Sequence, residues 1–288
     1  MSDNESKKAR RNAARERAAA QRAKDKARKR RNRTLTISGI ILAGLAVVAV
    51  VVLVIANSVQ PAGPGPKNMA SDGIVLQGQN GKIVPVETKA IPEKGKPTAT
   101  KQDESVANIT VYEDYMCPVC NQFETGNMPQ IKKWVQDGSA TLEIHPFNLL
   151  DRISLGSKYS TRAAAAAACV ANYDPDAFLD VNSAFYANQP SESTRGLTNQ
   201  KLADIAKDAG ATNKDVESCI TDQRFANWVA DATDRVLTQP LANSDIPKLT
   251  GTPTVIVNGK QYNADNTSAW SDTDSFAAFV EQNGGSTK

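Results

Sequence analysis

The chain has 288 residues, enough for one or two domains of ordinary size with a sizeable core. Its net charge of +3 conceals an asymmetry, because residues 1–33 hold fourteen lysines and arginines against four acidic residues, and the rest of the chain is net acidic. A single histidine leaves little scope for a serine or cysteine hydrolase, and no glycine-rich phosphate loop follows a predicted strand.

Residues 1–33 are predicted to form a basic cytoplasmic tail, and residues 34–56 a transmembrane helix. Leu35 to Ile55 carry no formal charge, and a helix of this length spans roughly 31 Å, close to the ~30 Å hydrocarbon core of a bilayer. A cleaved signal peptide is the alternative, but its apolar region is usually shorter. We therefore predict a single uncleaved anchor.

The distribution of basic residues predicts the orientation, since cytoplasmic flanks are enriched in Lys and Arg. Between Ile55 and Lys82 only Lys67 is basic. We therefore predict a single-pass cell-membrane protein whose N-terminus is cytoplasmic and whose C-terminal domain is extracytoplasmic, where thiols can stay oxidised. The tail could instead bind nucleic acid or anionic lipid, but we interpret it as a solvated topogenic segment and predict no nucleic-acid partner.

The residues after the span predict a flexible linker and then a folded domain. Residues 57–72 are rich in Pro, Gly and small polar residues, and the domain is predicted over residues 73–288. Asn80-Gly81 suits a hairpin turn. Asn108 to Tyr115 and Thr141 to Leu150 are predicted strands, on either side of a helix that begins at a cysteine pair.

A helical block of about residues 153–245 interrupts this α/β unit. It contains an Ala-rich run and several segments with apolar residues at helical spacing. A strand is then predicted from Thr254 to Val257, followed by a turn and an amphipathic helix. Gly126 and Pro129 are expected to kink or interrupt the helix that carries the cysteines.

The motif YMCPVCNQF holds Cys117 and Cys120 at a spacing that serves metal sites, structural disulfides and redox pairs alike. Cysteines three residues apart in a first helical turn are close enough to form a disulfide. Pro118 suits the first helical position. Cys117 would then lie at the positive end of the helix dipole, which favours its thiolate. We predict that Cys117 is the exposed nucleophile and that Cys120 resolves the mixed disulfide.

These segments resemble the thioredoxin-like superfamily, and most closely its membrane-anchored bacterial DsbA-like disulfide oxidoreductases. The resemblance is carried by VYEDYMCPVC, LEIHPFNLL, the helical block and GTPTVIVNG, over roughly residues 73–285. It implies an α/β, thioredoxin-like fold with an inserted all-helical subdomain, preceded by the single transmembrane helix. It also implies a cis bond between Thr252 and Pro253, where an extended client could pair with the exposed backbone.

The resemblance further implies protein partners and no cofactor. Clients would be secreted or cell-envelope proteins with cysteines, and a membrane reoxidase of the DsbB or vitamin K epoxide reductase type would restore the disulfide. Val119 stands where strongly oxidising relatives have histidine, and Val111 where many relatives carry a buried acid. Asp114 could assist proton transfer, but we expect a solvated carboxylate at a strand end. The direction of electron flow therefore stays open.

Four cysteines allow three pairings, and pairing Cys117 with Cys120 leaves Cys169 with Cys219. We interpret this second pair as a structural disulfide, worth roughly 4 kcal/mol for a loop of about 50 residues. A zinc site built from all four cysteines is an alternative, although structural zinc sites usually use two closely spaced pairs.

We predict an extracytoplasmic thiol-disulfide oxidoreductase without a bound metal, most simply an oxidase of secreted proteins. The alternatives are a reductase or isomerase of the same fold, a copper-binding metallochaperone that uses Met116 beside Cys117, and a binding module on the same scaffold.

Overall fold

Six strands form one mixed sheet in the computed structural model, which describes residues 63–284 apart from 264 and 266–268, together with residues 22, 24, 26, 28 and 29. The strand order is β2-β1-β4-β3-β5-β6. Only β3 and β4 pair in parallel, and the other neighbours are antiparallel. The strands are β1 (Ile74–Gln79), β2 (Lys82–Pro85), β3 (Ala107–Glu113), β4 (Ala140–Pro146), β5 (Thr254–Val257) and β6 (Lys260–Gln261).

Strand β3 is the central element, because it pairs with β4 on one side and β5 on the other, and all seven of its residues are buried. Its parallel pairing with β4 requires a crossover, which is supplied by helix α1 (Pro118–Gln136). The carboxyl end of β3 therefore leads directly into the cysteine motif.

Helix α1 continues through Gly126 and Pro129, so the predicted interruption is wrong. Pro129 and Thr125, four residues before it, are both exposed, so water can bind the carbonyl oxygen that loses its helical partner. Gly126 is required by packing instead. A Cβ atom there would lie 2.7 Å from the Cα atom of Ser271.

Five helices lie between β4 and β5, within the predicted insertion, and a sixth follows β6. Buried alanines fill the middle of α2, where their small side chains let the other helices approach closely. The helices are α2 (Tyr159–Tyr173), α3 (Phe178–Ala187), α4 (Asn199–Asp208), α5 (Lys214–Thr221), α6 (Ala226–Thr238) and the C-terminal α7 (Thr273–Gln282), with short 3₁₀ turns at Asp151–Ile153 and Pro175–Ala177.

The segment before β1 is packed against the domain, so the predicted linker of residues 57–72 does not extend to its predicted end. Gly65 N donates to Ile91 O at 2.8 Å, and Asn68 Nδ2 donates to Ala171 O at 2.8 Å. Met69 is wholly buried. A composition rich in Pro and Gly predicts a flexible backbone. It does not reveal that a side chain such as Asn68 hydrogen-bonds to the helical insertion.

The predicted membrane helix, residues 34–56, lies outside the described residues, as does most of the predicted tail. Within the part of the chain that the structure describes, no helix has the length and apolar character needed to cross a bilayer.

A partly buried ion pair joins the N-terminal segment to α6, and we expect its loss to be costly. Both carboxylate oxygens of Asp72 accept hydrogen bonds from Arg235, each at 2.7 Å. Asp72→Asn keeps a residue that tolerates the positive φ of 69° but leaves the guanidinium without its charge partner. We expect the free energy of unfolding to fall by about 3 kcal/mol in urea titrations. In the exposed pair Lys260–Asp245, Asp245→Asn should cost less than about 1 kcal/mol.

Candidate active site

Cys117 is the N-cap residue of α1, and Pro118 occupies the first helical position. The backbone N–H of Cys120 points at Cys117 Sγ at a distance of 3.4 Å. Both cysteines are free thiols in this structure. Because the first N–H groups of a helix have no partner within it, the sulfur of Cys117 takes the place of a capping oxygen.

The loop before β5 supplies the second contact to Cys117, from 135 residues further along the chain. The peptide bond between Thr252 and Pro253 is cis, and Cys117 Sγ lies 3.3 Å from the carbonyl oxygen of Thr252. Antiparallel pairing of Tyr112 with Thr254 places this loop beside the motif. Cys117 is only 6% exposed, so the expectation of an exposed nucleophile is wrong.

The two thiols have opposite electrostatic environments. The pKa of Cys117 is lowered to about 6, chiefly by a hydrogen bond from the Cys120 thiol and also by helix N–H groups, against the effect of burial. The pKa of Cys120 is raised well above its ordinary value by burial and by its neighbour's sulfur. The pair therefore holds one thiolate and one thiol near neutral pH, without a histidine at Val119.

The pH dependence of alkylation tests this arrangement. We expect iodoacetamide to label Cys117 of the reduced protein with a midpoint near pH 6, read by mass spectrometry, because the thiolate is the reactive form. The thiolate's contribution to stability should likewise be lost as the pH falls through that value. Cys120→Ala should raise the midpoint, since it removes the principal hydrogen bond. A wild-type midpoint above about 8 would contradict the assignment.

Asp114 is fully buried, so the expectation of a solvated carboxylate is wrong. Its Oδ1 accepts a hydrogen bond from Met116 N at 2.8 Å, and its Oδ2 accepts one from Leu150 N at 2.9 Å. Burial raises its pKa to about 7, with a smaller contribution from Cys117. Asp114 thus ties the turn between β3 and α1 to the loop after β4 and positions the cysteine motif.

Two further carboxyl groups were not singled out from the sequence. Glu113 ends β3 at 1% exposure, and Glu124 lies on α1 at 4% exposure. Burial raises the pKa of Glu113 well above its usual range and that of Glu124 to about 7. A signal for Glu124 exists in its spacing, since it follows Cys120 by four residues and so shares its helix face.

A polar groove of about 530 Å³ runs beside the cysteine motif and contains the Thr252-Pro253 loop. Val119 and Trp270, which are both half-buried, line this groove. The lining residues are Val119, Gln122, Thr250, Gly251, Thr252, Pro253, Thr254, Gln261, Asn263 and Trp270.

The remaining candidate ligands are engaged elsewhere. Cys169 and Cys219 form a disulfide with an S–S distance of 2.01 Å that joins α2 to α5, so they are not free to complete a four-cysteine zinc site. Met116 is buried, and His145 Nε2 lies 3.1 Å from Glu143 Oε1. Over the described residues, no group of three or more His, Cys, Asp or Glu side chains is arranged to hold a metal ion.

Comparison with known proteins gives both sequence and structural matches. A family model described as thioredoxin matches residues 99–274. Over 116 residues the chain is 34% identical to the serine/threonine-protein kinase PknE of Mycobacterium tuberculosis, which corresponds to 39% of this chain and 20% of the kinase. The chain thus covers only a fifth of the length of the curated relatives that it matches.

Two solved structures from Mycobacterium tuberculosis are similar to this domain. The reduced disulfide bond oxidoreductase DsbG is 30% identical, with a TM-score of 0.52 over 63% of this chain and 80% of DsbG. Oxidised DsbA is 27% identical, with a TM-score of 0.53 over 74% of this chain and 93% of DsbA.

Proposed function

The chain belongs to the thioredoxin family, and from that premise we propose that it is a DsbA-type protein thiol-disulfide oxidoreductase that oxidises secreted or cell-envelope proteins. The observation that carries the proposal is the reduced pair itself, in which Cys117 has a pKa of about 6 and Cys120 a raised pKa. A thiolate that is stabilised in the reduced form makes the corresponding disulfide a better oxidant.

The reaction is an exchange of sulfur partners. A client thiolate attacks Cys117 Sγ in the Cys117–Cys120 disulfide, and Cys120 leaves and takes up a proton. A second client thiolate then attacks the client sulfur of the mixed disulfide and releases Cys117 as a stable thiolate. Two electrons pass from client to enzyme, the client gains one disulfide, and the proton that Cys117 does not take goes to solvent.

The lowered pKa of Cys117 raises the reduction potential of the pair, and the size of this increase helps to decide whether the protein oxidises or reduces its clients. Lowering the pKa of Cys117 from 9.0 to about 6 stabilises the reduced form at pH 7 by roughly 1–2 kcal/mol, equivalent to about 30 mV. This favours client oxidation, but it covers only about a fifth of the interval of about 150 mV between thioredoxin and DsbA.

Equilibration with glutathione measures the reduction potential and separates oxidase from reductase. A value above about −200 mV supports client oxidation, whereas a value near about −270 mV would identify a reductase. In cells, Cys120→Ala should trap mixed disulfides through Cys117, because the resolving thiol is gone. Failure to recover any trapped client would contradict catalysis of exchange.

The cellular setting is part of the proposal and rests on the sequence. We propose that residues 34–56 anchor the domain outside the cytoplasm and that a membrane reoxidase of the DsbB or vitamin K epoxide reductase type restores the disulfide. Labelling of an introduced cysteine by an impermeant maleimide tests the topology. A cysteine at position 89, in place of exposed Lys89, should react in intact cells, and one within residues 1–33 should not.

A further inference from the structure

The turn between β3 and α1 carries the cysteine motif, and its backbone polar groups are bound from two sides. On the strand side, Asp114 Oδ1 accepts a hydrogen bond from Met116 N at 2.8 Å, and Asp114 O accepts one from Cys117 N at 2.9 Å. On the other side, Gln189 of the helical insertion reaches the turn. Its Nε2 atom donates to the carbonyl oxygen of Tyr115 at 3.1 Å and to that of Cys117 at 2.9 Å.

Asn121, in the first turn of α1, completes the contact with the insertion. Its Nδ2 donates to Gln189 Oε1 at 3.1 Å and to Tyr186 O at 3.2 Å, and its Oδ1 accepts from Thr125 Oγ1 at 2.8 Å. Every polar atom of the two side-chain amides therefore has a partner, which defines the end of Gln189 that faces the motif. The backbone N–H of Gln189 donates to Tyr186 O at 3.1 Å. The amide pair thus joins the end of α3 to the start of α1.

The contact with the carbonyl group of Cys117 bears on the position of its sulfur. Cys117 is the N-cap of α1 with a ψ of 115°, and ψ sets the direction of the carbonyl group relative to the side chain. That carbonyl oxygen also accepts the helical N–H of Asn121 at 3.2 Å, so Gln189 is its second donor. Holding it preserves the conformation in which Sγ faces the N–H of Cys120 and reduces the negative potential beside the sulfur. Both effects favour the thiolate.

We propose that Gln189 is a positioning residue for the Cys117–Cys120 pair, which holds the N-cap conformation of Cys117 from the helical insertion and so keeps its sulfur in the thiolate form at neutral pH. This inference rests on the proposed function, because it gives the insertion a part in the exchange chemistry. Gln189 is not one of the residues that line the groove beside Thr252. Its replacement should therefore change the reactivity of the sulfur and not the shape of that groove.

Two replacements of Gln189 test the role through the alkylation midpoint of Cys117. Gln189→Leu removes both donated hydrogen bonds without adding charge. Gln189→Glu keeps the side-chain shape but places a carboxylate against the two carbonyl oxygens. We expect the midpoint to rise from near pH 6 to at least about pH 6.5 in Gln189→Leu and to at least about pH 7 in Gln189→Glu. Midpoints equal to that of the wild type in both variants would overturn the proposal.

Asn188→Asp is the matched control, because it makes the same charge change one residue earlier. Asn188 is exposed, and its Nδ2 donates to Ala184 O at 2.9 Å instead of to the motif. Its midpoint should stay within about 0.2 of the wild-type pH, since solvent screens an exposed charge. If Asn188→Asp raised the midpoint as far as Gln189→Glu does, charge alone would explain the effect and the positioning role would be overturned.

The equilibrium with glutathione supplies a readout that a merely structural role would not move. A midpoint raised from pH 6 to pH 7 should shift the equilibrium about 5-fold toward the disulfide at pH 7, but by less than about 1.2-fold at pH 5, because only the thiolate adds stability to the reduced form. Asp114 and Cys120, the titratable groups that act electrostatically with Cys117, are unchanged in these variants. An equal shift at both pH values would indicate a distorted disulfide and would overturn the proposal.

NMR of the reduced protein covers the case in which a variant does not fold. The side-chain amide signal of Gln189 should titrate near pH 6 with the sulfur of Cys117, and this titration should be absent in Cys117→Ser. A signal that titrates identically in both proteins would overturn the proposal. If the wild-type protein exchanged no disulfide with glutathione, the proposed function would fail, whereas the alkylation midpoints would still test the role of Gln189.

Discussion

Replacing Cys117 by serine reduces client oxidation to the uncatalysed background, a loss of at least about 10³-fold given the rate enhancements of enzymes. A serine oxygen cannot form the mixed disulfide. No other cysteine can substitute, because Cys120 is 2% exposed with a raised pKa, and Cys169 and Cys219 are joined to each other. The measurement is the rate at which a reduced client peptide gains its disulfide.

The fold of this variant should be intact, which makes the loss interpretable. Position 117 is the N-cap of α1, and serine is among the preferred N-cap residues. Cys120→Ala is the matched variant, because it should retain the first exchange step and accumulate mixed disulfide. If Cys117→Ser kept more than about a tenth of the wild-type rate, the nucleophile would have to be assigned elsewhere.

Replacing Cys169 and Cys219 together by alanine lowers the free energy of unfolding by about 4 kcal/mol, since the disulfide closes a loop with a sequence separation of 50. Both residues are wholly buried, so the lost sulfur packing adds to the cost. Urea unfolding followed by circular dichroism measures the change. We expect a large loss because the bridge joins the central helix α2 to α5.

The effect should be confined to stability, because neither cysteine contacts the motif. The alkylation midpoint of Cys117 at low temperature is therefore the control and should stay near pH 6. The double variant is preferable to either single one, because a single replacement leaves a free thiol that can exchange with other disulfides once urea has unfolded the chain. A loss below about 1 kcal/mol would mean that helix packing alone holds the insertion together.

The secondary structure around the motif followed from local patterns. The alternation in ANITVYE, the proline after Cys117 and the Asn-Gly turns each act over a few residues, so the strand, the helix start and the hairpins could be predicted from neighbours in the chain. The predicted thioredoxin-like fold with a helical insertion is confirmed by the family match over residues 99–274. The helix interruption predicted at Pro129 was wrong, because a helix tolerates an internal proline when the carbonyl group that it leaves unpaired faces solvent.

The environment of each acid could not be predicted in the same way. Glu113 and Asp114 are adjacent in the sequence and would ordinarily be solvated, yet both are buried, because α3 covers the first and the loop after β4 binds the second. Asp72 ends a segment with the composition of a linker, and only Arg235, 163 residues later, makes it part of the core.

By itself the sequence determined the cysteine pair at a helix start, the succession of strands and helices along the chain and the approximate extent of the helical insertion, because these depend on propensities and spacings within short segments. Tertiary structure alone decided how deeply Cys117 is buried and which acidic side chains are buried near Cys120. Those properties depend on desolvation and on contacts between residues that are far apart in the chain, so patterns within short segments do not predict them.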